Sequence, residues 1–162
     1  MKTPAEPNVV PFPKSETARS SVERIWGKAV RNYGYTGVPS ILIKAQRRLG
    51  VTPLQMNILL QLLDYFYDPA RPPFPKKTEI ADRMGVSAKT IQINMRALQQ
   101  AGLIHREIRK KAAGDYDSNI YHLDGLIARV QALEPEFREE KEQRQRAKRR
   151  VEMPLGRRGD AE

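Results

Sequence analysis

The chain has 162 residues, no cysteine, and 29 Lys and Arg against 19 Asp and Glu, giving a formal net charge of +10 and a sequence pI of about 10.0. That length suits one domain with a proper core plus extensions, and the charge makes a polyanion the natural partner. The lack of cysteine excludes disulfides, thiolate catalysis and cysteine-based zinc sites, and no apolar run approaches the roughly 20 residues that span a bilayer, so a cytoplasmic protein without a membrane partner is expected.

Residues 1–21 carry Pro4, Pro7, Pro11 and Pro13 among small and charged side chains and read as a flexible basic arm. From Val22 to Tyr35, Trp26, Tyr33 and Tyr35 interleave with Arg24, Lys28 and Arg31, while Gly27 and Gly34 weaken any long helix. Packing is the simpler role for these aromatics, and stacking on bases the sharper one. Ser40 is placed to cap a helix from Ile41 to Leu49 that Gly50 ends. Thr52 caps the strongest apolar helix, with Pro53 at its first position and Met56, Ile58, Leu59, Leu62, Leu63 and Phe66 following. This is the scaffold helix. Asp68 to Pro75 is a proline-rich connector, with Phe74 expected to seat it on the core.

From Lys77 to Ile104 the spacing predicts a short helix, a turn at Gly85, and a longer helix that stops at Gly102. Ile80, Ala81 and Met84 share one face of the first helix, and Ile91, Met95 and Leu98 recur at i, i+4 and i+7 on the second. Gly85 suits a left-handed helix terminator, and Ser87 suits the next N-cap. Leu103–Arg109 and Asn119–Leu123 read as the strands of a hairpin, its apolar positions being Ile104, Ile108 and Ile120 with Tyr121 or Leu123, and His105 and His122 cross-strand neighbours. Asp124 caps a helix running to Pro135 that covers the core or pairs with a second copy. Residues 135–162 form a charged helix or tail, with Glu140–Arg144 and Glu142–Arg146 at i,i+4.

The phrases Thr78-Glu79-Ile80-Ala81, Met84-Gly85-Val86-Ser87, Thr90-Ile91-Gln92 and Leu98-Gln99-Gln100-Ala101-Gly102-Leu103-Ile104 resemble those of bacterial winged helix-turn-helix proteins, in wording most like phage- and plasmid-type regulators and replication proteins. The resemblance covers roughly the middle third of the chain. It implies a mainly α fold with a small β-hairpin (α+β): a winged helix-turn-helix domain over 22–134, its helix-turn-helix at 77–102 and its wing at 103–123.

With Ile91, Met95 and Leu98 in the core, the opposite face of the second helix presents Ser87, Lys89, Thr90, Gln92, Ile93 and Arg96, the candidate DNA contacts. By resemblance, Ser87 and Thr90 bond phosphates, Gln92 takes adenine, Lys89 and Arg96 reach guanine or phosphate, and Arg109, Lys110 and Lys111 of the wing touch the backbone or minor groove. Ile93 departs from the basic residue many relatives carry there and offers only an apolar contact.

The leading expectation is a sequence-specific binder of double-stranded DNA acting as a transcriptional regulator. A replication initiator or accessory protein of a phage or plasmid uses the same fold, and a winged domain that docks on protein is the rival of another class. A homodimer and the transcription or replication machinery are the protein partners these readings entail. No HExxH, P-loop, GxGxxG or nucleophile elbow occurs, and His105 and His122 with Asp115 and Asp117 do not make a metal-ligand pattern, so no enzyme, catalytic residue, metal or cofactor is expected.

Overall fold

The computed structural model describes residues 20–108 and 119–152, which fall into a unit ending at Tyr35 and a unit beginning at Thr36. In the first, helices α1 (Ser21–Trp26) and α2 (Lys28–Tyr33) are separated by Gly27, whose φ of 84° interrupts the helical path, and neither buries a residue. The glycines weaken a long helix, and the segment is indeed helical only in two short pieces of the length they allow.

The second unit runs α3 (Ser40–Lys44), α4 (Pro53–Asp64), α5 (Lys77–Met84), α6 (Ala88–Gln100), β1 (His105–Glu107), β2 (Ile120–His122) and α7 (Asp124–Glu152). It is the mainly helical, single-hairpin architecture the sequence predicts. The core is Met56, Ile58, Leu59 and Leu62 of α4, Ile80 and Ala81 of α5, and Ile91, Met95 and Leu98 of α6. Leu103, Ile104, Tyr121 and Leu123 around the hairpin close it, with Leu126 and the Leu42, Ala45, Leu49 and Val51 segment.

Caps set where the helices begin and end. The Thr52 hydroxyl accepts from the Gln55 N–H (3.2 Å) and the Gln55 side chain accepts from the Thr52 N–H (3.0 Å), a reciprocal capping box in front of Pro53. At the far end of α5, Gly85 takes φ 65°, its N–H donating to Asp82 and the Val86 N–H to Ala81. Gly102 ends α6 in the same way at φ 68°, with donation from Gly102 to Gln99 and from Leu103 to Leu98. A side chain at either glycine would strain the left-handed backbone.

Several expectations are corrected. α3 ends at Lys44 rather than Leu49, with Pro39 and not Ser40 at its cap position, yet Ala45 and Leu49, in the turns that follow, are still buried in the core. Phe74 does not seat the proline connector: it is 56% exposed while Pro73 and Pro75 are buried. The connector is extended, so neighbours alternate sides, and the Pro73 carbonyl accepts the Tyr121 N–H at 2.8 Å. Ile108 is 51% exposed, and Tyr121 and Leu123 take the buried positions of the hairpin instead. The hairpin register pairs His105 with His122, as expected, with ring centroids 5.9 Å apart.

Nor does the last helix stop at Pro135. α7 continues to Glu152 with the proline inside it, although the ring removes one helical hydrogen bond. Leu133 and Phe137 pack on the core on either side of the proline, and Glu136 forms a two-pronged pair with Arg48 (3.0 and 3.1 Å). The Arg48 guanidinium holds the Glu136 carboxyl below the usual carboxylate range. From Arg138 onward every described side chain of α7 is exposed, and its i,i+4 pairs include the expected Glu140–Arg144 and Glu142–Arg146.

The first turn of α7 sits directly on the end of α6. The Leu126 N–H donates to the Leu103 carbonyl (2.8 Å), and a Cβ on Gly125 would overlap the Gly102 carbonyl oxygen. Alanine in an ordinary helix interior stabilises by up to about 1 kcal/mol over glycine. G125A should instead destabilise, by about 1–3 kcal/mol, and lower the melting temperature in a thermal scan. An unchanged or raised melting temperature would show that α7 does not pack on the α6 terminator.

Candidate nucleic-acid interface

α6 is amphipathic in the expected sense. Ile91, Met95 and Leu98 are buried, while Lys89, Gln92 and Arg96 lie exposed on the other side with Ile93 at 58% exposure. Ser87, Lys89, Thr90, Gln92, Ile93 and Arg96 therefore share the surface of one helix and its cap. No acidic side chain among the described residues forms an ion pair with Lys89 or Arg96, so both cations are open to a phosphate or a base edge. Arg109, Lys110 and Lys111 lie outside the described residues.

The helix start is more tightly organised than its sequence suggests. Ser87 Oγ accepts the Thr90 N–H at 3.1 Å and lies 2.8 Å from Thr90 Oγ1. Both hydroxyls thus order the first turn of α6, and Thr90 is half-buried. Asn94 donates back to the Thr90 carbonyl at 2.9 Å, fixing the turn again from within. Gln92 Oε1 accepts from Lys77 Nζ at 3.4 Å, which brings the start of α5 beside the middle of the exposed face. Sequence reasoning missed Lys77. Its approach to Gln92 is a tertiary contact across the turn, and the only sequence signal is that it is a cation at the first position of a helix that must cross the second.

The angle between α4 and α5 is secured by a polar cluster. Arg83 sits 4.9 Å over the Tyr65 ring and pairs with Asp64 (3.3 Å) and Glu79 (3.5 Å), and the Tyr65 hydroxyl donates to Glu79. Burial first, and then the hydrogen bond to Glu79, push the Tyr65 hydroxyl up to about 12. Thr36 Oγ1 donates to Asp64 at 2.6 Å. On the hairpin, His122 Nε2 lies 2.9 Å from Glu107 Oε2, so the stem of the wing carries an acid as well as its two histidines. Among the described residues no three His, Cys, Asp or Glu side chains gather in a way that would hold a metal ion.

Residues 38–144 match the family model of the DnaD N-terminal domain. The chain belongs to the DnaD N-terminal domain family. A solved structure, the N-terminal domain of the DnaD protein from Geobacillus kaustophilus HTA426, is similar at 25% identity with a TM-score of 0.50, covering 71% of this chain and 96% of that one. A possible transcriptional regulator from Methanosarcina mazei Go1 has 15% identity and a TM-score of 0.42, covering 63% of this chain and 82% of its own. No curated protein sequence matches. The family match takes in α3 through most of α7, including the helix-turn-helix and the hairpin, and no described helix is long and apolar enough to cross a membrane.

The cap makes Ser87 a stability residue before any other role. S87A should cost about 1 kcal/mol and S87D should restore most of it, since aspartate also caps and favours a helix start. Thermal melts of the two variants check this, and equal melting temperatures for S87A and the parent would mean the cap bond is not made.

Proposed function

We propose that this protein binds double-stranded DNA in replication initiation, with α6 in the major groove and the wing on the backbone or minor groove. The observation that carries the proposal is the exposed polar face of α6: Lys89 and Arg96 without acidic partners among the described residues, Gln92 between them, all held outward by the buried Ile91, Met95 and Leu98. A helix about 10 Å across fits the major groove, and its N-terminal half is the part that reaches base edges. Lys77, bonded to Gln92, adds a cation to this face, and Arg109, Lys110 and Lys111 would extend it along the backbone.

The residue pattern by itself ranks a transcriptional regulator first and a replication role second. Membership of the DnaD N-terminal domain family, which is associated with replication-initiation proteins, favours the second. Proteins of the replication machinery and a second copy of the chain are the protein partners this reading entails.

Affinity for a duplex should fall steeply with salt, with a slope of log K against log salt of about −3 or steeper, because each neutralised phosphate releases close to one counterion. A titration that came out flat would sink the proposal. Replacing both Gln92 and Arg96 with alanine should erase preference among sequences selected from a random duplex pool. It should leave stability within about 0.5 kcal/mol, since both side chains are exposed. A clear loss of melting temperature with selectivity intact would place the reading face elsewhere.

A further inference from the structure

α3 and the middle of α7 run side by side and leave between them an open groove of about 460 Å³. Its floor is Ile41 and Phe137, both half-buried against the core. Four cations and two carboxylates rim it. The carboxylates are engaged within α7, Glu134 by Arg138 (3.5 Å) and Glu140 by Arg144. Lys44, from α3, and Lys141, from α7, face each other's helices across the groove, and no described acid pairs with either. On the other side of Phe137 a smaller recess of about 200 Å³ is lined by Arg48, Glu136 and Glu140, and there the Arg48–Glu136 pair closes the charge. Of these two recesses, only the one on the α3 side carries cations without a described acidic partner.

We propose that the α3–α7 groove docks an acidic peptide segment of a partner protein. An apolar side chain would lie over Ile41 and Phe137, and carboxylates would meet Lys44 and Lys141. The volume lies within the range of sites that take a small-molecule-sized group. An apolar floor between two cations matches an amphipathic acidic segment laid into a groove. Nucleic acid fits less well, because a phosphate backbone has no apolar group to lay over Ile41 and Phe137.

The test uses the intact protein and a fluorescein-labelled short peptide of alternating Glu and Leu with one Phe, followed by fluorescence anisotropy. A control peptide replaces every apolar residue by Ser. Binding to the first peptide should be at least about tenfold tighter than to the control. K44Q/K141Q should weaken it at least about fivefold, and K89Q/R96Q, which removes equal charge from α6, should change it less than about twofold. The proposal is overturned by absent binding, by equal affinity for the two peptides, or by equal effects of the two double variants. It is also overturned if unlabelled duplex displaces the peptide stoichiometrically, which would make the groove a nucleic-acid surface. A change in sedimenting mass on K44Q/K141Q substitution would make it a self-association face and overturn it as well. The peptide-binding outcomes, unlike the duplex competition, do not depend on whether α6 binds DNA.

Discussion

The contact on which the second unit depends is backbone against backbone. At Gly102 the end of α6 turns left-handed and projects its carbonyl toward Gly125, while the next carbonyl, that of Leu103, accepts the N–H of Leu126. Three elements meet there: the exposed helix, the hairpin that begins at His105, and the long last helix. No side chain separates them, so their relative positions follow from peptide geometry rather than from the adaptable packing of a core. The buried row Leu98, Leu103, Leu123 and Leu126 then fills the space around the contact. Shifting α7 would therefore move the frame that presents α6.

The same terminator recurs at two helix ends, those of α5 and α6, and at the end of the turns that follow α3. Gly50–Val51, Gly85–Val86 and Gly102–Leu103 each combine a glycine at φ between 65° and 68° with an apolar residue that donates back to the last turn and then enters or abuts the core. A helix stopped in this way is also aimed, because the residue after the glycine is both hydrogen-bonded and packed. The Arg83, Tyr65, Glu79 and Asp64 cluster secures the α4–α5 crossing by other means, with charge and an aromatic face at a half-exposed site. The chain thus orients its helix-turn-helix with apolar glycine motifs along the sequence and one polar cluster across it.

Local chemistry is legible in the residues themselves. Thr52, Ser87, Gly85 and Gly102 act where their side chains, or the lack of one, permit a single backbone solution within a few residues. The periodic rows Ile80–Ala81 and Ile91–Met95–Leu98 are buried because a helix can hide only one such face. The failures are tertiary. Phe74 is more apolar than Pro73 or Pro75, but in an extended connector parity decides which residues face inward, and a proline at 73 can still offer its carbonyl to Tyr121. Pro135 reads as a stop by every local rule, yet Leu133, Phe137 and the Arg48–Glu136 pair hold the chain helical through it. On the candidate interface, Lys89, Gln92, Ile93 and Arg96 can be placed from periodicity alone. The Lys77–Gln92 bond cannot, since it joins two helices whose crossing angle no single stretch encodes.

The proline connector has a further effect on the sheet. Two strands leave two open rims, each a row of amide groups that another chain could zip onto. Along β2 the connector occupies one of these, taking the Tyr121 amide on the Pro73 carbonyl. Pro72, Pro73 and Pro75 have no N–H of their own, so the outer flank of this pseudo-strand is a poor template for the next one. The connector is thereby a built-in safeguard against fibril-like stacking, at the place where a small two-stranded sheet would otherwise be prone to recruit its neighbours.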